Sequence, residues 1–215
     1  MRLCVVTLHT PEMSVIANRT AINHREYCQK YHLDYLVHRG RLSTRHPAWD
    51  KIPLIRMILP FYDAILWIDC DCIFNNFHKQ IPIIEQPGLF VRDPFYNGRN
   101  ADVQLVNAGV FLLRNCSESI QFLDTVNEAS MNVDSVEKRS YKGWPWEQGA
   151  ICRELMKHPD RFIIRQDLDM NCHPTMASPE TFIIHYMGWR TNQQTEDLAL
   201  TDIDRRNLIL LHGET

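Results

Sequence analysis

The chain has 215 residues, of which 45% are hydrophobic and 23% are charged, and its formal net charge is −3. This composition is typical of a globular protein and argues against extensive disorder. The small negative charge offers no basic field to a nucleic acid, although an acidic site could still bind a nucleotide through a bridging cation. The seven cysteines lack the even number and spacing of a disulfide framework, which favours reduced thiols and a cytoplasmic protein.

The sequence gives no sign of a membrane anchor. No stretch approaches the roughly twenty apolar residues that a membrane-spanning helix requires. The apolar run at the amino terminus is too short for a signal peptide and leads directly into a polar segment with helical spacing. We therefore expect no integral membrane segment.

The predicted elements alternate between strands and helices along most of the chain. Short β-branched runs predict strands, and apolar residues spaced by three and four predict helices. In chain order, the predicted elements are a strand at 3–8, a helix at 14–32, a strand at 34–38, a helix at 49–59, strands at 64–68 and 106–113, helices at 117–129 and 146–156, strands near 162–164 and 182–185, and a helix at about 198–211. This alternation indicates an α/β sheet. One domain over residues 1–215 is the simplest organisation, either complete or as the amino-terminal domain of a longer protein.

Two aspartates follow the most apolar strand of the chain. The run at 64–68 ends in Asp69-Cys70-Asp71, and ligands of open α/β sheets bind beyond the carboxyl ends of the strands. If the backbone stays extended, Asp69 and Asp71 share a face and Cys70 points the other way. Two carboxylates on one face repel each other unless a cation lies between them, and Mg²⁺ or Mn²⁺ suits such oxygen ligands.

The same pattern is compatible with two other classes of protein. A haloacid-dehalogenase-like phosphatase also places D-x-D after an apolar strand, with the first aspartate as nucleophile and the second as acid. Such enzymes usually carry this strand near the start of the chain and a small β-branched residue two places after the second aspartate, where Ile73 stands here. A non-catalytic module that binds a sugar nucleotide is the third possibility. Both alternatives stay open at this point.

Polar residues also accompany two later strands. His185 ends a strand and is followed by Gly188, which permits close backbone approach to a phosphate, and by Arg190, which supplies a fixed charge. An imidazole is a reasonable third protein ligand for Mn²⁺, although a lone histidine at a strand end is more often a surface residue. Asn107 and Gly109 interrupt the start of an apolar strand, which is unusual unless something lies against them.

An aromatic cluster opens the helix at 146–156. Trp144 and Trp146 are followed by Glu147 and Gln148, so that aromatic faces stand beside a carboxylate and an amide. Aromatic faces with a few polar groups suit a sugar pocket, whereas packing of either indole in the core is equally reasonable.

Five sequence blocks occur in a characteristic order: W-x-K-I-P, W-I-D-x-D, N-A-G-x-F-L-x-R-N, E-Q-x-A and H-x-x-G-x-R. Together they resemble GT-A-fold glycosyltransferases related to fungal α-galactosyl- and mannosyltransferases and to plant xyloglucan xylosyltransferases. The glycosyltransferases encoded by chlorella viruses are similar again, and this compact chain is most similar to those. The resemblance runs from the first strand to about Arg190.

The resemblance implies an α/β fold of the GT-A, or nucleotide-diphospho-sugar transferase, type. In this fold a single central mixed, mainly parallel sheet is flanked by helices. The resemblance also implies a UDP-sugar donor, a glycan acceptor, Mn²⁺ or Mg²⁺, and retention of anomeric configuration. We expect a cytoplasmic location, in the host cytoplasm if the protein is virus-encoded.

The resemblance further implies roles for individual residues. The implied metal ligands are Asp69, Asp71 and His185. The residues implied to bind the donor are Thr7, Leu8, His9, Lys51, Asp69, Cys70, Asp71, Asp93, Asn107, Gly109, His185, Gly188 and Arg190. The residues implied in catalysis are Glu147, Gln148 and Arg190, and which of Glu147 and Gln148 faces the anomeric carbon stays open. Trp146 departs from the family pattern, which often has two acidic residues before the glutamine.

Overall fold

A computed structural model describes residues 1–99, 101–131, 140–141, 144–189 and 192–212. Within them the strands are β1 (Leu3–His9), β2 (Asp34–Arg39), β3 (Ala64–Ile68), β4 (Cys72–Phe74), β5 (Gly88–Arg92), β6 (Val106–Arg114), β7 (Ser140–Tyr141), β8 (Trp144–Pro145), β9 (Ile163–Arg165) and β10 (Ile183–His185). The α-helices are α1 (Ser14–Lys30), α2 (Lys51–Ile58), α3 (Ala101–Gln104), α4 (Ser117–Met131), α5 (Trp146–Lys157) and α6 (Gln193–His212).

The main sheet has the strand order β2-β1-β3-β6-β5-β9. Neighbouring strands are parallel except where β6 pairs with β3 and with β5, so β6 alone runs against the other five strands. The sheet is therefore mixed and mainly parallel, as predicted. Because β6 is reversed, its beginning lies at the same edge of the sheet as the ends of β1, β3 and β5.

Apolar residues on both faces explain why β1 and β3 lie inside the sheet. Every residue of both strands is buried, which a continuous apolar run allows and an alternating one would not. On β1, Val6 packs on the face covered by α2, α4 and α5, and Val5 packs on the face covered by α1. Helices thus flank the sheet on both sides, as expected for this fold class.

A small second sheet brings β10 beside the segment that follows the D-x-D. β10 pairs antiparallel with β4, and His185 lies opposite Cys72 in this register. A separate apolar cluster includes Ile16 of α1, Tyr186 and Ile203 of α6. It packs the residues that follow β10 against α1 and α6. The path of the chain after the D-x-D therefore determines where His185 lies.

Several elements differ from the sequence predictions. The predicted helix at 49–59 is a 3₁₀ turn (Pro47–Asp50), then α2, then a second 3₁₀ turn (Leu59–Phe61), with Pro53 in the first turn of α2. α6 begins at Gln193, five residues before the predicted start. The prediction missed these first residues because they are polar and carry no apolar periodicity. β5 was not predicted at all.

All seven cysteines are unpaired, and six of them are buried. Among the described helices, none combines the length and the apolar character that crossing a bilayer requires.

His24 of α1 gives the fold a pH-dependent component. The imidazole is fully buried, its Nε2–H donates to the carbonyl oxygen of Cys72 (2.9 Å), and its Nδ1 lies 3.1 Å from the hydroxyl of Tyr35. Burial lowers the pKa of His24 from 6.5 to about 4. Between these two pH values the unfolded chain binds more protons than the folded chain, so this contribution is present above pH 6.5 and is lost as pH falls towards 4.

We therefore expect the free energy of unfolding to drop on the order of 2 kcal/mol more between about pH 7 and about pH 5 in the wild type than in His24→Gln. Urea unfolding at both pH values measures this difference. Equal losses in the two proteins would show that His24 is not held in its neutral form.

Candidate active site

A cavity of about 890 Å³ opens at the edge of the sheet where β1, β3 and β5 end and β6 begins. It brings together most of the residues that the sequence singled out. Those that line it are Leu8, His9, Lys51, Asp69, Cys70, Asp71, Asp93, Asn107, Gly109, Glu147, Gln148, His185 and Gly188.

The D-x-D segment does not stay extended, contrary to our expectation. The chain leaves β3 at Ile68 and turns, and the turn is closed by a hydrogen bond from the N–H of Cys72 to the carbonyl oxygen of Asp69 (3.0 Å). Both carboxylates still face the cavity, but they have different partners. The sequence could not show this turn, because β4 continues it only through pairing with the distant β10.

Asp69 belongs to a buried cluster of charges around Lys51. The ammonium group of Lys51 lies 3.1 Å from Oδ1 of Asp69 and 2.7 Å from Oε1 of Glu147, and it donates to the carbonyl oxygen of Ala108 (2.9 Å). The indole Nε1–H of Trp67 also donates to Oδ1 of Asp69 (2.7 Å). Lys51 and Glu147 are almost completely buried, whereas Asp69 is partly exposed to the cavity, so this cation neutralises one buried and one partly buried carboxylate.

In this cluster, burial and ion pairing shift the pKa values of Lys51 and Glu147 in opposite directions. Burial alone would lower the pKa of Lys51, but the carboxylates of Asp69 and Glu147 raise it above its ordinary value. Burial raises the pKa of Glu147, and the attraction of Lys51 offsets only part of this shift. Lys51 therefore remains a cation, whereas Glu147 is easier to protonate than an ordinary glutamate.

Asp71 faces His185 instead. Oδ1 of Asp71 lies 3.3 Å from Nε2 of His185, and both side chains are nearly inaccessible to water. Burial would raise the pKa of Asp71, but the imidazole of His185 lowers it overall. Burial would lower the pKa of His185, yet the carboxylate of Asp71 raises it overall. A carboxylate and an imidazole therefore stabilise each other's charge at the cavity wall.

The close approach of His185 to β6 requires glycine at position 109. A Cβ atom built on Gly109 would lie 2.5 Å from Nδ1 of His185, closer than such atoms ever approach. The N–H of Gly109 donates to Oδ1 of Asn107 (2.9 Å), and its carbonyl oxygen accepts from the N–H of Asp69 (2.8 Å). Asn107 and Gly109 thus fit the expectation that something lies against the start of this strand.

A fourth carboxyl group of the site, that of Asp93, lies beside Asn107. Asp93, just after β5, is buried, and its Oδ1 accepts the N–H of Phe95 (2.8 Å). Burial raises the pKa of Asp93, while hydrogen bonds from Phe95, Asn107 and Gln104 act in the opposite direction.

The start of α5 presents an amide to the cavity. Oε1 of Gln148 accepts the N–H of Ala108 (3.2 Å), so the carboxamide is held against the start of β6. Trp146, one residue before Glu147, has a left-handed backbone with φ of 48°. Its ring stacks on the imidazole of His46, with centroids 4.1 Å apart and planes within 6°. One face of this indole is therefore covered by a protein side chain.

Thr7, Gly188 and Arg190 complete the set of residues predicted to bind the donor. Thr7 is buried within β1, two residues before the strand ends, and it lies outside the cavity lining. Gly188 lines the cavity with φ of 77°, a backbone conformation that favours glycine. Arg190 lies outside the described residues.

Two contributors to the site escaped the sequence reasoning. Trp67 lies two residues before Asp69, and the two-residue repeat of a strand would have placed both side chains on one face. Asn171 is fully buried, and its carboxamide contacts both Asn107 and His185. A polar residue between buried Met170 and Cys172 was the available signal.

Several side-chain atoms at the cavity are suitable ligands for a divalent cation. Among the described residues, ligand atoms of Asp71, Cys72 and His185 lie within 4.8 Å of one another. Burial raises the pKa of the Cys72 thiol well above its ordinary value, so this sulfur is a neutral, poor ligand for a hard cation. The carboxylate of Asp71 and the imidazole of His185 remain, and Asp69 lines the same cavity but does not belong to this group of close ligand atoms.

Comparison with known proteins points to one class of enzyme. No family model matches the chain. Galactomannan galactosyltransferase 1 of Cyamopsis tetragonoloba is 29% identical over 161 residues, which cover 69% of this chain and 34% of that protein. Xyloglucan 6-xylosyltransferase 4 of Arabidopsis thaliana is 29% identical over 111 residues, covering 47% of this chain and 21% of that protein. The chain thus spans about a third or less of the length of these curated relatives.

Solved structures give the fold. A glycosyltransferase involved in glycosylation of the major capsid of the chlorella virus PBCV-1 superposes with a TM-score of 0.73 at 16% identity, covering 95% of this chain and 100% of the other. The galactosyltransferase LgtC, in complex with donor and acceptor sugar analogues, gives 0.61 at 10% identity, covering 95% of each chain. The chain has the GT-A fold of glycosyltransferases.

A GT-A enzyme with bound ligands is also among the structural neighbours. The Drosophila β-1,4-galactosyltransferase 7 in complex with manganese, UDP-Gal and xylobiose has a TM-score of 0.52 at 12% identity, covering 90% of this chain and 74% of the other. The expected resemblance to glycosyltransferases and the expected GT-A fold are both confirmed.

Gly109→Ala tests how His185 is seated on the GT-A sheet. The added methyl group must displace the imidazole, so we expect a loss of about 1 to 3 kcal/mol in the free energy of unfolding and altered NMR resonances of the His185 ring. Gly88→Ala is the matched control, because its Cβ would also collide, with Leu113, but far from the cavity. A variant at position 109 with unchanged His185 resonances would contradict this arrangement.

Lys51→Met tests the buried charge cluster. The change leaves the buried carboxylate of Glu147 and the partly buried carboxylate of Asp69 without their cation, and we expect it to cost about 3 to 5 kcal/mol in urea unfolding. Arg56→Met is the control, because the Arg56–Asp124 pair is exposed and its loss should cost less than about 1 kcal/mol. Equal losses would show that the cluster does not depend on Lys51.

Proposed function

We propose that this chain is a metal-dependent glycosyltransferase that moves a sugar from a UDP-sugar to a hydroxyl group of a glycan acceptor with retention of anomeric configuration. The observation that carries the proposal is the convergence of Asp69, Asp71 and His185 on one cavity at the edge of a GT-A sheet. The relatives' names and the manganese and UDP-Gal in a structural neighbour support the same reaction class.

We propose Asp69, Asp71 and His185 as the protein ligands of Mn²⁺ or Mg²⁺. Asp71 and His185 already lie in contact, and Asp69 stands on the same wall with Oδ1 held by Lys51 and Trp67. When bound, such a cation supplies Lewis-acid stabilisation of the negative charge on a leaving diphosphate. Carboxylate and imidazole ligands suit Mn²⁺ well.

The residues around these ligands have proposed roles in binding the donor. Leu8 and His9 are proposed to receive the nucleoside, together with Thr7, which precedes them in β1, and Cys70, which lines the same cavity. Gly188 is proposed to let the backbone approach the diphosphate, where Arg190 would supply positive charge. Asp93 and Asn107 are proposed to bind sugar hydroxyl groups from the β5–β6 side of the cavity.

Lys51 is proposed to act through its neighbours. Its ammonium group is already engaged by Asp69, Glu147 and the carbonyl oxygen of Ala108. Its proposed part in the donor site is therefore to orient the first aspartate of the D-x-D and to hold Glu147.

The reaction then depends on how the chain holds the sugar. The bond from the anomeric carbon to the diphosphate oxygen breaks, and the acceptor oxygen forms a bond on the same face while its proton passes to the departing phosphate oxygen. Gln148 is proposed to face the anomeric carbon, because Glu147 is turned into the protein against Lys51. The second lone pair of Gln148 Oε1, whose first accepts the N–H of Ala108, would steady the positive charge that develops on the sugar.

The two alternative functions, a phosphatase and a non-catalytic binding module, are supported to different degrees. The GT-A fold removes the support for a phosphatase of the haloacid-dehalogenase type, whose D-x-D belongs to another architecture. A non-catalytic binding module would bind the same sugar nucleotide, and a measurement of turnover distinguishes it from an enzyme.

We also propose that residues 1–215 form one GT-A domain, since the full length of the PBCV-1 glycosyltransferase matches 95% of this chain.

Asp71→Asn tests the donor site. Titration calorimetry of the wild type with UDP should show binding that requires Mn²⁺, and the variant should lose more than about a hundredfold in Mn²⁺-dependent affinity, since even outer-shell partners contribute about 10- to 100-fold. Asp124→Asn is the surface control. UDP binding that ignores Mn²⁺ in the wild type, or is unchanged in Asp71→Asn, would contradict the proposal.

Gln148→Ala tests the reacting face. Because the amide is proposed to stabilise charge that develops only in the transition state, kcat should fall on the order of a hundredfold while Mn²⁺-dependent UDP binding stays within about twofold. Hydrolysis or transfer of a UDP-sugar is the assay. A variant in which UDP binding falls as much as kcat would place Gln148 in donor binding instead.

A further inference from the structure

A buried asparagine outside the predicted site touches the elements that hold His185. Asn171 lies beside β10, where the next residue, Cys172, accepts the N–H of His185 (2.8 Å) and donates to the carbonyl oxygen of Ile183 (3.1 Å). The side chain of Asn171 has no exposure to water. It therefore lies inside the protein, behind the imidazole and away from the cavity.

The hydrogen bonds of Asn171 determine which way its carboxamide is turned. Nδ2 donates to the carbonyl oxygen (3.2 Å) and to Oδ1 (3.0 Å) of Asn107. The remaining oxygen, Oδ1, lies 2.9 Å from Nδ1 of His185. Because a carbonyl oxygen only accepts, Nδ1 of His185 must carry the hydrogen of this bond.

This bond selects the nitrogen that His185 offers to the cavity. With Nδ1–H turned to Asn171, the opposite nitrogen, Nε2, is the one that faces Asp71 at 3.3 Å. The ring lies directly against the backbone of Gly109 on β6, where a Cβ atom would come within 2.5 Å of Nδ1. The imidazole is thus confined by a steric wall on one side and a hydrogen bond on the other.

We propose that Asn171 is a positioning residue that fixes the tautomer and orientation of His185, so that Nε2 is the metal-binding atom. The proposal rests on the proposed function, because it takes His185 as a metal ligand. Ligating histidines commonly donate their other N–H to an outer partner, and loss of that partner typically weakens metal binding about 10- to 100-fold. Through Asn107, the same side chain links the imidazole to the sugar side of the cavity.

Two variants separate positioning from simple packing. Asn171→Asp keeps an acceptor for Nδ1–H but loses both donors to Asn107, so it should bind Mn²⁺ within about threefold of the wild type despite a loss of stability. Asn171→Leu keeps the volume but removes the acceptor, and it should bind Mn²⁺ about 10- to 100-fold more weakly. Titration of Mn²⁺ alone, followed by electron paramagnetic resonance, measures both affinities without any turnover.

Asn23→Leu is the matched control. Asn23 is equally buried and also makes paired hydrogen bonds with a backbone, donating to the carbonyl oxygen of Phe74 (2.9 Å) and accepting its N–H (2.7 Å). Asn23 belongs to α1, and its side chain bonds to Phe74 of β4 rather than to His185. Asn23→Leu should lower the unfolding temperature as Asn171→Leu does and leave Mn²⁺ affinity unchanged.

Nitrogen NMR of the His185 ring provides a second readout. In the wild type, addition of diamagnetic Mg²⁺ should shift the Nε2 resonance while Nδ1 keeps its hydrogen, and Asn171→Leu should lose this selectivity. If Asn171→Leu binds Mn²⁺ like the wild type, or if Asn171→Asp and Asn171→Leu weaken binding equally, the positioning role is overturned. A wild type that binds no Mn²⁺ would instead overturn the proposed function, and with it any ligand role for His185.

Discussion

The ammonium group of Lys51 lies between two carboxylates and a backbone carbonyl oxygen, and the arrangement of the cavity depends on that single buried cation. Without it, Asp69 at the end of β3 and Glu147 at the start of α5 would repel each other in a region with little water. With it, a helix, a strand end and the beginning of β6 are joined at one point. The same contact turns Glu147 inward and leaves Gln148 at the cavity surface.

The reversed direction of β6 makes the rest of the site possible. A strand parallel to its neighbours would carry Asn107 and Gly109 to the opposite edge of the sheet. Because β6 runs the other way, these residues meet Asp69 on one side and His185 on the other. A continuous set of hydrogen bonds then runs from the sheet through Asn107 and Asn171 to the imidazole.

The sequence predicted those parts of the molecule whose signal is local. The apolar run at 64–68 and the carboxylates after it could be found because a buried strand and its polar end are adjacent in the chain. The direction of β6, the turn at Asp69 and the contacts of Asn171 depend on pairing between distant segments, which no local pattern records. β5 was missed because only its three central residues, Leu89, Phe90 and Val91, form an apolar run, whereas all five residues of β3 are apolar. The ordered sequence blocks, rather than any one of them, led to the correct fold.

Trp146 stands in a backbone conformation that glycine or asparagine would adopt with less strain. A bulky residue at such a position costs on the order of 1 kcal/mol or more, so its indole must contribute more than the backbone loses. Besides packing against the apolar core, the indole stacks on His46, which joins the start of α5 to the loop before α2. Among homologous chains, these two positions should therefore change together, and a chain with a small residue at one should no longer retain an aromatic ring at the other.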